Sequence, residues 1–234
     1  MIWDLSVRKR LDQGKRSFHL DVRFSSDAKR LVLFGPSGAG KSQTLQMLAG
    51  LSSPDDGYIR LQDRILFDSK QRIAMPPQQR EVAYLFQDYA LFPHLTVVQN
   101  IGFSLRSGLM NPRRNMNDKR IARWLAAFQL EPVAHYYPGQ LSGGQRQRAA
   151  LARALVAEPR ALLLDEPFAA LDRPLRARLR RELAELQAEL DIPMMLITHD
   201  EEDIDCFADA VIRISDGRIV DYDALTSTRL NVPA

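Results

Sequence analysis

The chain has 234 residues, 45% hydrophobic and 26% charged, with 32 lysines and arginines against 29 aspartates and glutamates and a formal net charge of +3. That composition is ordinary for a globular protein, and the basic excess is too small and too scattered to imply a nucleic-acid partner. No apolar run approaches the length of a membrane-crossing helix, the N-terminus lacks a signal-peptide pattern, and the single cysteine, Cys206, excludes an internal disulfide, so a cytoplasmic chain is expected.

In chain order, the opening is β-rich. Ile2 to Val7 alternates loosely, and Phe18, Leu20, Val22 and Phe24 alternate strictly with His19, Asp21 and Arg23, which predicts a half-buried strand. The apolar run Leu31–Phe34 is too short for a helix and fits a buried strand. It leads into Gly35-Pro36-Ser37-Gly38-Ala39-Gly40-Lys41-Ser42, and a helix-like segment, Gln43–Ala49, follows with Gly50 as its stop. Strand, glycine-rich loop and helix make this spacing a phosphate cradle: glycines let the backbone N–H groups curl inward, and the helix start adds partial positive charge. Gly35 to Gln43 is therefore the candidate cofactor-binding stretch. Lys41 has the reach for terminal phosphates, and the Ser42 hydroxyl suits Mg²⁺.

Gly57–Leu61 and Arg64–Phe67, joined at Gln62-Asp63, read as a hairpin, and Pro76-Pro77 breaks the chain. Val82–Phe86 is a short strand ending at Gln87-Asp88. From Tyr89 to Gln140 helices are predicted at Val97–Leu105 and Lys119–Gln129, flanking a polar loop from Asn111 to Asp118: a helical subdomain inserted between strands. Arg113, Arg114, Lys119, Arg120 and Arg123 read better as a solvated face than as a site for an acidic partner. Gly143–Ala157 is a helix ended by Pro159, and Ala161–Leu164 is a buried strand running out at Asp165-Glu166. Leu175, Leu179, Leu183, Leu186 and Leu190 recur at helical spacing. With Arg173, Arg176, Arg178, Arg180 and Arg181 they allow a membrane-surface helix, but a core-facing leucine stripe with a wet opposite face fits the acidic second half better. Met194–Ile197 is a further buried strand, ending at Thr198-His199, and Ala210–Ser215, Asp216-Gly217 and Arg218–Val220 form a closing hairpin. Strands alternating with helices from residue 145 onward argue for an α/β fold with a largely parallel, helix-covered sheet.

Chemistry concentrates where strands end. Beside a phosphate loop, Asp165 suits Mg²⁺, Glu166 is a candidate base for an attacking water, and Gln87 is placed to touch the metal or that water. His199, followed by Asp200 to Asp203 at a helix start, has the reach for a terminal phosphate. Leu141-Ser142-Gly143-Gly144-Gln145 fits a capping box for the helix behind it. Two glycines in a first turn nonetheless weaken a helix, which suggests close backbone approach: a second phosphate-binding helix start, serving the nucleotide of another copy.

With these motifs in this order the chain resembles an ABC transporter ATPase subunit over nearly its whole length. Gly35–Ser42 matches Walker A, Gln87 the Q-loop, Leu141–Gln145 the signature, Leu162–Glu166 Walker B, Ala170-Leu171-Asp172 the D-loop and His199 the switch histidine. The resemblance implies a P-loop NTPase core with a mostly parallel sheet, an N-terminal antiparallel β portion, and an inserted helical subdomain. The core would comprise residues 1–88 and 156–234, and the subdomain 89–155. It implies a head-to-tail homodimer sandwiching two ATPs with Mg²⁺. Each site would join Lys41, Ser42, Asp165, Glu166 and His199 of one copy to Ser142, Gly143, Gly144 and Gln145 of the other, with Asp172 nearby. Hydrolysis would drive a membrane permease at the cytoplasmic face, and indirectly a solute-binding protein. The permease would dock near Tyr89–His94, where exposed Tyr89, Leu91 and Phe92 suit a docking patch. The importers of molybdate, sulfate and similar solutes are the most similar branch. The runs Leu66-Phe67-Asp68-Ser69, Pro76-Pro77 and Phe86-Gln87-Asp88 with Leu91–His94 resemble molybdate importers in particular. Two departures stand out: no aromatic residue near Leu11–Gly14 is available to stack adenine, leaving Phe18 as the candidate, and no C-terminal oxyanion-sensing domain is expected. The ATPase of a sulfate, polyamine or iron transporter or of an exporter is the alternative within the family, whereas ribosome- or DNA-directed ABC ATPases, small P-loop kinases and GTPases fit less well, because the chain has one cassette, no room for long coiled coils and no guanine motif.

Overall fold

The structure, a computed structural model, describes residues 1–13, 16–105, 112, 118–169 and 173–225. In chain order its elements are β1 (Trp3–Gln13), β2 (Arg16–Ser26), β3 (Arg30–Phe34), α1 (Lys41–Ala49), β4 (Asp56–Leu61), β5 (Arg64–Asp68), β6 (Ile73–Ala74), β7 (Val82–Leu85), α2 (Val97–Phe103), α3 (Lys119–Ala127), α4 (Gly143–Leu155), β8 (Ala161–Asp165), α5 (Arg173–Leu190), β9 (Met194–Thr198), α6 (Glu201–Phe207), β10 (Ala210–Ser215) and β11 (Arg218–Ala224). Two compact units result: Met1–Arg80 with Ala184–Ala234, and Glu81–Leu183.

In the first unit the strands lie in the order β6-β5-β4-β1-β2-β11-β10-β3-β9. The sheet is mixed. β10, β3 and β9 run parallel, whereas β1 pairs antiparallel with β2 and with β4. The two regions meet at one rung, where β11 pairs β2 in parallel at Arg218↔Asp21. β1 extends beyond the loosely alternating Ile2–Val7, because Lys9 to Gln13 pair in register with Leu20 to Arg16. The parallel strands carry unbroken apolar runs, and Leu31, Val32, Leu33 and Met194 to Ile197 are all fully buried. Each such leucine or isoleucine contributes roughly 1.5–3 kcal/mol of apolar burial.

The second unit holds the parallel pair β7–β8, the helices α2, α3 and α4, and the first part of α5. α2 starts in a capping box, Thr96 with Gln99, and α3 is capped by the Asp118 carboxylate, which accepts from the Arg120 amide. Arg120 also pairs with Asp118 at 3.0 Å, and the Arg123 guanidinium lies over the Trp124 ring, so these two cations are engaged locally; Arg113 and Arg114 lie outside the described residues.

α5 corrects one expectation. Leu179 and Leu183 are buried as the leucine stripe predicts, but Arg180 and Gln187 are buried with them, while Leu175, Leu186 and Leu190 are only half-buried. The inward face is thus rotated from the stripe. Arg180 belongs to it because its guanidinium can lie over the Phe168 ring, 5.8 Å from the centroid. Among the described residues no helix is long and apolar enough to cross a membrane.

Candidate functional site

The glycine-rich loop links β3 to α1 within the first unit. Gly38 and Gly40 have φ of 81° and 100°, and Gly40 is the N-cap of α1. A Cβ on Gly40 would sit 2.3 Å from Leu20 Cδ1 and 3.3 Å from Phe18 Cζ; one on Gly35 would sit 2.1 Å from the Ile214 carbonyl. The loop is therefore pressed against β2 and the end of β10, where no side chain fits. The Ala39 carbonyl also accepts from the Gly217 amide at 3.1 Å. Lys41 is buried, and its ammonium donates to the carbonyls of Gly35 (2.8 Å) and Pro36 (2.9 Å), drawing a positive charge across the mouth of the loop. Ser42 follows it in the first turn of α1. The Gln43 amide nitrogen donates to Gln46, while its buried oxygen has no hydrogen-bond partner among the described residues.

At its far end α1 stops at Gly50, whose amide caps Gln46 and Met47. Arg80, buried, donates to the carbonyls of Met47 (2.7 Å), Leu48 (2.9 Å) and Met75 (2.8 Å), and burial pulls its pKa down to about 10. A cation on the last carbonyls of a helix complements its dipole. Nothing in the sequence points to Arg80, because its two partners in α1 lie more than 30 residues upstream.

His199 leaves β9 where Gly35 leaves β3. Phe34 and Thr198 are direct partners in the parallel pair, so the loop and the histidine emerge from one end of the first unit's sheet. His199 is exposed. The residues around it are fixed: Thr198 Oγ1 donates to the buried Asp203 carboxylate and accepts from the Asp200 amide, and Asp200 caps α6.

In the second unit the same logic gathers Gln87, Asp165 and Glu166. Leu85 and Leu164 are partners in the β7–β8 pair, so both chain segments exit together. Asp165 is buried and accepts from the Tyr84 hydroxyl at 2.7 Å, a contact that sequence reasoning missed. Glu166 is held left-handed at φ 45° on the turn closed by Ala169 N–H to the Glu166 carbonyl, and Gln87 is exposed. A strained residue after a catalytic-type strand end is a recurrent feature of working sites.

Ser142 is the exposed N-cap of α4. Its hydroxyl accepts from the Gln145 amide, and the Gln145 side chain accepts from the Ser142 amide at 2.9 Å: the capping box is present. Gly144 is buried, and a Cβ there would approach Leu175 Cδ1 to 3.2 Å, so one of the two glycines makes room for α5. Asp172 lies outside the described residues.

The docking patch needs one correction. Tyr89 is 6% exposed, not presented to solvent; burial raises its phenol pKa, and its hydroxyl has no partner among the described residues. A phenol ring is mostly apolar area, and that area outweighs one hydroxyl. Leu91 and Phe92 are half-buried, Pro93 and His94 exposed, and Phe103, 42% exposed, lies against Phe92 with ring centroids 4.3 Å apart.

Residues 20–169 match the sequence profile of the ABC transporter family. The chain belongs to that family. It is 45% identical over 188 residues to a probable sulfate/thiosulfate import ATP-binding protein of Chlorella vulgaris, covering 80% of this chain and 76% of that one. It is 40% identical to a molybdate/tungstate import ATP-binding protein of Archaeoglobus fulgidus, covering 94% and 87%. It spans about half the length of several other curated relatives. Among solved structures, the dimeric bacterial ABC transporter cassette MJ0796 superposes with a TM-score of 0.78 at 27% identity, covering 97% of this chain and all of that one. The fold is that of an ABC ATPase cassette, and the ABC chain is an ATPase.

The residues present fit ATP and Mg²⁺. In the first unit the glycine loop, the Lys41 ammonium and the Ser42 hydroxyl suit phosphates, and in the second the Asp165 carboxylate is a hard oxygen donor of the kind Mg²⁺ takes.

Proposed function

We propose that this chain is the energy-coupling subunit of an ABC importer, working as a homodimer on permease subunits at the cytoplasmic face of the membrane. The observation that carries the reading is the Lys41 ammonium held over the mouth of the loop by the Gly35 and Pro36 carbonyls. Phosphate oxygens replace those carbonyls as its partners, at the start of a nine-residue helix whose amides point the same way. Ser42 and Asp165 hold Mg²⁺, which screens the phosphate charge when bound. Glu166 takes a proton from the attacking water, with Gln87 orienting that water or the metal and His199 steadying the terminal phosphate. Phe18, half-buried against Gly40, offers a ring near the base. Ser142 to Gln145, with Asp172, serve the nucleotide of the other copy. Residues 89–155 form the helical subdomain that carries the motion.

For the solute we propose molybdate or a related oxyanion, on the Leu66–Ser69 and Phe86–His94 runs. The relatives' names span sulfate, molybdate, iron, polyamines and sugars, so the solute reading rests on those runs alone. The test is Glu166→Gln with MgATP. It should bind ATP, hydrolyse it at least about a hundredfold more slowly, and elute as a dimer; a monomer at saturating ATP contradicts the sandwich.

A further inference from the structure

Tyr89 and Ala90 are consecutive non-glycine residues in the left-handed region, with φ of 63° and 42°. Such pairs do not persist unless their surroundings hold them. The Tyr89 amide donates to the Phe86 carbonyl, and the Ala90 amide to the Asp88 carboxylate. Their carbonyls, turned away from these bonds, are taken by one side chain. Arg153 forks across both, Nη2 to Tyr89 at 2.9 Å and Nη1 to Ala90 at 2.7 Å, and its guanidinium stands 5.4 Å from the Phe92 ring centroid.

Arg153 is a costly residue to place here. It is half-buried, burial pulls its pKa down against the opposing charge of Asp88, and no carboxylate pairs with it within 4.0 Å among the described residues. Asn100 on α2 accepts from the Phe92 amide and donates to the Phe92, Leu95 and Thr96 carbonyls, which fixes the exit of the loop without Arg153. What Arg153 adds is a tie to a different helix. It sits in the last turn of α4, whose first turn is capped by Ser142. Eleven residues of helix separate the two ends, roughly 16 Å of rigid rod.

We propose that Arg153 is a positioning residue that carries displacement of α4 to residues 88–92, so that a grip on Ser142 and Gly144 at one end reshapes the Leu91–His94 face at the other. This rests on the reading that the Ser142 helix start contacts nucleotide. Lysine is not equivalent at this position, because an ammonium does not present the planar fork that spans two successive carbonyls.

The test is hydrogen exchange on the full chain carrying Glu166→Gln, with and without MgATP. In this parent, MgATP should slow exchange of the amides at both 144–146 and 89–92, by about threefold or more. Adding Arg153→Ala should preserve the response at 144–146 and abolish it at 89–92, and Arg153→Lys should do the same. A merely stabilising arginine would lower the melting temperature and speed exchange generally without separating the two responses. If the alanine variant does not fold, the lysine variant decides. Retention of the 89–92 response in a folded Arg153 variant overturns the proposal. So does a parent that responds at 144–146 but not at 89–92, in which case the nucleotide reading stands. A parent that responds at neither removes the nucleotide reading, and the role of Arg153 with it.

Discussion

Asp165 shows how a single side chain is prepared for its task. Its position, one residue past an apolar run, was legible because a carboxylate at the end of a buried strand is an unusual use of a charge. Its orientation was not legible. The Tyr84 hydroxyl that fixes one carboxylate oxygen comes from β7, 81 residues earlier, and only strand pairing brings the two together. Hydrogen bonds to charged groups contribute about 1.5–3 kcal/mol, and here the bond sets which way the carboxylate proposed to hold Mg²⁺ faces. Tyr84→Phe should therefore raise the Mg²⁺ concentration for half-maximal ATP hydrolysis by about tenfold while changing stability by about 1–2 kcal/mol. A Mg²⁺ titration at fixed ATP reads this directly; an unchanged midpoint would assign the phenol a packing role. Gly144 teaches the complementary lesson. Its bareness was read as space for a ligand, yet its missing Cβ also makes room for Leu175.

At the scale of elements, starts and stops followed local chemistry closely. α1 ends at Gly50, α4 begins at Ser142 with Gln145 answering it, and α6 begins at Asp200, each as the sequence implied. These are interactions across three or four residues, which sequence order displays. What holds the C-terminal end of α1 is a longer-range feature, the buried Arg80 on the carbonyls of Met47 and Leu48. Arg80→Met removes the donors and leaves three carbonyls to find other partners. It should lower unfolding stability by about 2–4 kcal/mol, seen as a shifted urea midpoint with an unchanged slope. A shift under about half a kcal/mol would mean that water replaces the guanidinium at no cost. The inward face of α5 is decided at the same range: periodicity finds its leucines, but how far that face is rotated from them depends on neighbours such as Phe168, which draws Arg180 in.

At the scale of the whole molecule, function is a matter of surfaces offered to other chains. Within Glu81–Leu183 the Leu91–His94 stretch, with Phe103 beside it, is an apolar face backed by Asn100 and Arg153. Tyr89 belongs to its foundation rather than its surface. Phe92→Asp should leave ATP hydrolysis by the isolated chain within about twofold and reduce co-purification with its membrane partner by about tenfold or more; undiminished recovery from solubilised membranes would move the docking site elsewhere. The sequence by itself determined the phosphate loop, the strand-end carboxylates, the capped signature helix and the order in which they occur, because each is written in residues a few positions apart. Only the tertiary structure decided that Tyr84 steers Asp165, that Arg80 clasps α1, and that Arg153 joins α4 to a strained turn. Those contacts cross 32 to 81 positions of chain, and no local pattern records a partner that far away.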